Sequence, residues 1–276
     1  MAILAKFVRA GWGLGLLLPA ATAAADPLTA APAVSAAERE ADTYGYCMKL
    51  AKLNPAAAQR LAEEWHKRGG AHPADHCAAV ALVEMGRYRE AAMRLETLSQ
   101  TMTKAPASLR AEVLDQAGQA WLLAGDPVQA YAMAREAVAL QPADPELRLD
   151  RAEAAASAGY FDRAIGDLNI VLKADPNRAD ALIYRASAYR ALYRLDAALA
   201  DIDAALTRAP DSAPALLERG NIRRLMGNVD GARRDWQRVG EIAPGTRADI
   251  AARANLEHLG REQESAPAAT PAPPPR

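Results

Sequence analysis

Lysine and aromatic side chains are scarce in this 276-residue chain: six of its 33 basic residues are lysine, at positions 6, 49, 52, 67, 104 and 173, and aromatics make up 5%. The formal net charge is −1, which excludes the basic footprint that a nucleic-acid-binding chain carries. Catalytic signatures are missing too. There is no nucleophile elbow, no phosphate-cradling glycine loop, no H-E-x-x-H and no recognisable Ser–His–Asp constellation. An enzyme is therefore not expected, and no cofactor is implied. Cysteine occurs twice and histidine four times, so any metal site is confined to a few residues. What the chain does have is alanine and arginine, a composition that favours helices approaching each other closely and suggests a GC-rich bacterial genome.

The first 25 residues read as an export signal. Lys6 and Arg9 supply the positive start, "GWGLGLLLPA" the apolar stretch and Ala23–Ala25 a small-residue cleavage site before Asp26. The apolar stretch is too short and glycine-rich for a membrane span, which takes about 20 residues. No cysteine follows it to accept a lipid. The expectation is a periplasmic or secreted protein with no membrane insertion once the signal is removed; retention of the segment as an anchor is the alternative.

Downstream, the chain repeats itself. Pro142, Pro176, Pro210 and Pro244 each lie 34 residues from the last, closing the apolar segments "EAVALQP", "NIVLKADP", "DAALTRAP" and "QRVGEIAP". Twelve residues before each proline stands an alanine: Ala130, Ala164, Ala198 and Ala232. Twenty-four before it comes Gly118, Ala152, Ala186 or Gly220. Small residues at those places let two antiparallel helices touch, and the turns between them are "AGDP", "AGYFD", "LYRLD" and "MGNVD". Asp126 before Pro127 is a good helix start.

A 34-residue unit of two helices with these small-residue and proline positions resembles the tetratricopeptide repeat family, in an exported bacterial form. The resemblance implies an all-α fold, an α-α solenoid of helical hairpins forming a superhelix. Four units cover 111–244. Two divergent ones precede them over 39–105: one near 39 with its turn at Asn54–Pro55, and one near 72 with Ala79, Gly86 and Ala91 at the matching places. A linker spans 26–38. Five extra residues at 106–110, "PASLR", break the period and are expected to kink the stack. Residues 245–260 predict a capping helix that starts at Thr246 and Asp249 and ends at Gly260. The Pro/Ala-rich remainder, 261–276, is expected to be disordered.

Members of this family hold peptides or protein surfaces in the groove lined by their first helices. Carried onto this chain, the groove positions are Glu112, Asp115, Gln119 and Leu122, then Glu146, Leu149, Glu153 and Ala156. The next two units supply Asp180, Ile183, Ser187 and Arg190, then Pro214, Leu217, Asn221 and Arg224. The surface so implied runs from acidic to basic along an apolar strip of Leu122, Leu149, Ile183 and Leu217. It would suit an extended ligand with charged ends. Lysine is absent from these positions, and only Asn221 with Arg224 matches part of the set that clamps a terminal carboxylate, so a chaperone-tail receptor is not implied.

Arg185 breaks the apolar face of "YRASAYRAL". Pairing across a hairpin sets it opposite Asp201, and the neighbouring units repeat the pattern as Arg151 with Asp167 and Arg219 with Asp235. The other three units have Ala117 with Met133, Ala78 with Arg94 and Gly45 with Leu61. Inter-helix ion pairs are expected; the alternative is that both charges reach solvent at the hairpin edge. Cys47 and Cys77 fall in the first helices of successive units, where an exported protein would form a disulfide. The competing use of "HPADHC" is zinc held by His72, His76 and Cys77 with Cys47, or a small-molecule site there. The expected function is a non-catalytic scaffold binding an unidentified protein or peptide partner. The alternatives are an accessory factor of an envelope-assembly, cell-division, secretion or cytochrome-maturation complex, and the zinc or small-molecule binder.

Overall fold

Several helix starts in this chain are capped by side chains that accept backbone N–H bonds, those of Ser35, Asn54, Asp126, Asp144 and Asn228, as the computed structural model shows over the described residues, 35–265. The export signal at 1–25, most of the linker and the tail from 266 lie outside the described residues. Within them there are thirteen α-helices and no strand. They fall into two bodies that divide between Ala158 and Gly159.

The first body opens with α1 (Ala36–Leu53), where Ser35 and Glu38 cap each other reciprocally. Asn54 then accepts from the Ala57 N–H to start α2 (Pro55–Trp65), with Pro55 at the first helical position. A single π-type turn, His66–Gly70, leads into α3 (Ala71–Glu84), followed by α4 (Tyr88–Thr101). His72 therefore lies inside the first turn of α3, where Pro73 is tolerated because its missing N–H has no helical partner to lose. Next come α5 (Ala107–Leu123), α6 (Pro127–Leu140) and α7 (Pro145–Ser157). Asp126 accepts from Gln129 N–H and Asp144 from Glu146 and Leu147 N–H, so both prolines sit just inside capped starts. The five extra residues form no loop. Pro106 starts α5 and the next four residues lengthen it to 17 residues, against 13 for α7. Leu95, Leu98, Met102, Val83 and Val113 fill the core between walls of alanine.

The second body comprises α8 (Phe161–Ala174), α9 (Ala179–Ala191), α10 (Leu195–Arg208), α11 (Ala213–Leu225), α12 (Val229–Ile242) and α13 (Arg247–Ser265). Asp249 N–H donates to the Thr246 hydroxyl and the Asp249 carboxylate accepts from Gly245 N–H. The closing helix continues past Gly260 to Ser265, because Gly260 does not take the left-handed conformation that would stop it. Ala252 and Leu259 of α13 are buried in one core with Ile202, Leu216, Ile222, Trp236 and Val239.

Small residues set the distance between paired helices. A Cβ added at Gly118 of α5 would stand 3.2 Å from the Ala130 carbonyl of α6. At Gly220 of α11 it would meet the Trp236 indole of α12 at 2.4 Å, so the ring lies where a side chain would otherwise be. Sharp turns need a second kind of small residue. Gly125, Gly159 and Gly227 have φ of 76°, 80° and 81°, in the left-handed region where a Cβ is penalised. The matching position of the remaining unit is Tyr193, with φ 57° and a side chain 73% exposed. Little packing around so exposed a ring offsets the backbone strain. Tyr193→Gly should therefore stabilise the protein by about 1 kcal/mol, read as a higher urea midpoint at unchanged m-value.

Candidate functional site

The best-defined polar assembly of the first body is built on His76 of α3, which is completely buried. Its Nε2 lies 2.7 Å from the Gln116 Oε1 of α5, and its Nδ1 lies 2.8 Å from the Tyr44 hydroxyl of α1. Because the amide oxygen can only accept, Nε2 carries the proton and Nδ1 accepts from Tyr44. Burial keeps this ring neutral, lowering its pKa from 6.5 to about 4. Burial likewise raises the Tyr44 phenol, aided by the nearby Glu112 carboxylate. One imidazole thus ties three successive first helices together, a role that the sequence reading did not find.

Beside it Cys47 and Cys77 are joined in a disulfide with Cα atoms 6.2 Å apart, linking α1 to α3 across 30 residues. Closing a loop of that size stabilises by roughly 3–4 kcal/mol through the unfolded chain. The zinc reading loses its ligands to these two arrangements. Both sulfurs are bonded to each other and both ring nitrogens of His76 are engaged. Among the described residues no group of three His, Cys, Asp or Glu is placed to hold a metal. Arg94, which has no partner at its matching place across the hairpin, binds Asp75 at 2.9 Å instead, and His66 approaches the same carboxylate at 3.2 Å.

The groove positions of this body divide in two. Glu112 and Glu146 are exposed, and Asp115, Leu122, Glu153 and Ala156 are half-buried. Burial and the neighbouring Asp144 raise the Glu112 carboxyl above its ordinary pKa. Gln119 and Leu149, however, are each only 3% exposed and belong to the packed interior rather than to an open groove. The physical reason is the alanine content of α5 and α7. Ala117, Ala120, Ala152 and Ala155 are buried or nearly so, and helices carrying so little bulk close over the side chains between them.

In the second body, Arg185 is answered. Its Nε and Nη2 donate to both oxygens of Asp201 at 2.7 Å, a bidentate bridge from α9 to α10. Arg219 of α11 does the same to Asp235 of α12 at 3.0 and 2.8 Å. These hydrogen bonds hold both guanidinium protons more tightly than usual. Each arginine also turns its Nη1 backward by sixteen residues, Arg185 to Asn169 at 2.8 Å and Arg219 to Asp203 at 3.4 Å. Arg223 adds a second cation to Asp235 at 2.7 Å. Arg151 belongs to the first body and the buried Asp167 to the second.

The groove positions of this body are already linked to one another. Arg190 of α9 donates to Glu218 of α11 at 2.6 Å, Asn221 donates to the same carboxylate at 3.2 Å, and Asn255 of α13 donates to Asn221 at 2.9 Å. The buried Glu218 thus neutralises a charge that the groove reading assigned to a ligand. Asp180 is exposed and bound by Arg178. Ile183, Ser187 and Leu217 are half-buried, while Pro214 and Arg224 are exposed.

No sequence family matches the chain, and no curated protein is significantly similar to it in sequence. Solved structures match it in shape. A tetratricopeptide repeat protein from Parabacteroides merdae aligns with a TM-score of 0.69 at 14% identity, over 81% of this chain and 89% of that one. MamA from Desulfovibrio magneticus, residues 41 to the end, gives 0.54 at 18% over 64% and 97%. YrrB, described as a TPR protein with an unusual peptide-binding site, gives 0.50 at 15% over 71% and 96%. Likeness at these identities carries the fold: consecutive helical pairs of the tetratricopeptide-repeat solenoid type.

Two measurements check the polar assemblies. Removing one partner of the Arg185–Asp201 bridge strands the other in a half-buried place. Arg185→Ala should cost about 2–3 kcal/mol, and adding Asp201→Ala should cost at least about 1 kcal/mol less than the two singles summed. His76 has a folded pKa below its unfolded one, so the unfolded state binds the extra proton. The stability it confers is complete above pH 6.5 and is lost as pH falls toward 4, to a total of about 3 kcal/mol. Urea midpoints measured between pH 7 and 4 should fall less steeply in His76→Gln than in the wild type.

Proposed function

We propose that the chain is a non-catalytic scaffold that holds an extended, basic segment of a partner protein against the first helices of its first body, in the bacterial periplasm. The observation that carries this reading is the run of carboxylates at four groove positions of α5 and α7: Glu112, Asp115, Glu146 and Glu153, none of them fully buried. An acidic surface on rigid helices favours a cationic partner and speeds its approach. The raised pKa of Glu112 fits the same picture, since a carboxylate held up by partial burial and by the neighbouring Asp144 gains when a cation arrives. Support for a peptide ligand also comes from the likeness to YrrB, described as having a peptide-binding site. Periplasmic location rests on the signal-like first 25 residues.

In the second body Arg190 is bound to Glu218 and Asp180 to Arg178, and the ligand's main electrostatic contact is assigned to the first body, whose groove positions carry four carboxylates and no cation. Crosslinking in cells followed by mass spectrometry of the captured proteins tests it. Glu112→Arg with Glu146→Arg should remove the principal partner, and recovery by the wild type should fall at high ionic strength. An unchanged set of partners would mean that this surface binds nothing.

A further inference from the structure

The first hairpin has a finished side and an unfinished one. On the finished side Cys47 and Ala51 of α1 and Ala58 and Ala62 of α2 are completely buried, and α1 is bonded to α3 through the disulfide. The opposite side is a shallow groove of about 560 Å³ between α1 and α2, lined by Asp42, Thr43, Tyr46, Leu61, Trp65 and Arg68. No residue of another described helix lines it. Tyr46 is 60% exposed there, and the Trp65 ring occupies the place that a Cβ on Gly70 would take. A stack of hairpins needs a polar terminal face to remain single. This end instead displays an aromatic pair.

We propose that this groove is a dimerisation surface for a second copy of the chain. The charges choose the occupant. The groove carries one residue of each sign, Asp42 and Arg68, around the apolar Tyr46, Leu61 and Trp65. A surface so composed is complementary to itself, and a two-fold contact would set Asp42 of each copy against Arg68 of the other, twice over. Such a contact also covers the aromatic rings, which are enriched at the centres of interfaces.

The test uses protein purified from cells expressing the full chain, with its mass followed by sedimentation equilibrium. The wild type should weigh twice the single chain at about 100 µM. Asp42→Arg alone and Arg68→Asp alone each place like charges across the two-fold axis, and each should weaken the dimer at least about tenfold. Mixing the two variants in equal amounts makes both cross-pairs attractive again and should restore the wild-type mass, a rescue that misfolded chains would not give. A wild type that stays single at that concentration overturns the proposal, including one whose Trp65 is shielded from a quencher by the residues ahead of Ser35. Variants that dimerise like the wild type, or a mixture that remains single, overturn it as well.

Discussion

The constraint on which this structure depends is the distance at which two helices can approach when one of them offers no side chain. Gly118 meets a backbone carbonyl, and Gly220 meets an indole that fills the place of its absent Cβ. At such separations small residues are needed along the contact, and alanine makes up about half of the buried apolar residues, with larger side chains filling the space between. Close backbones also shorten the reach required of a side chain that crosses from helix to helix. That is why an arginine can lie at the margin of a buried face and still grip a carboxylate with two bonds.

Much of this was legible because an offset of sixteen residues pairs the two helices of a unit. The same offset relates Arg185 to Asp201, Arg219 to Asp235 and Gly220 to Trp236. Hairpin geometry fixes it, so a period of 34 residues was enough to read it. The backward contacts of Arg185 and Arg219 obey that offset with opposite sign, and Asn169 and Asp203, 34 residues apart, were the available signal. The disulfide was legible for a related reason, since successive first helices lie side by side.

Other features depended on details that periodicity does not carry. His76 reaches Gln116 across 40 residues, a separation that includes the five extra ones, so no repeat frame predicts the contact. Those five residues read as an interruption, whereas proline followed by good helix formers makes a longer helix. Gln119 and Leu149 occupied groove positions by analogy and yet are interior, because the alanines beside them let α5 and α7 close over them. Arg190 was read as available to a ligand, while its partner Glu218, 28 residues on, belongs to the next hairpin. A groove is a property of neighbours, and neighbours are the part of a solenoid that one unit's sequence describes least.

The forked arginines of the second body have one more effect. Because Arg219 grips its own hairpin and the preceding one, neither can peel away without leaving a guanidinium beside an emptied position. A repeat stack ordinarily frays one unit at a time from an end. Here the smallest step that releases every charge to water involves two adjacent hairpins, which makes the loosening of this region a coarser and more abrupt event than its repetitive architecture alone would dictate.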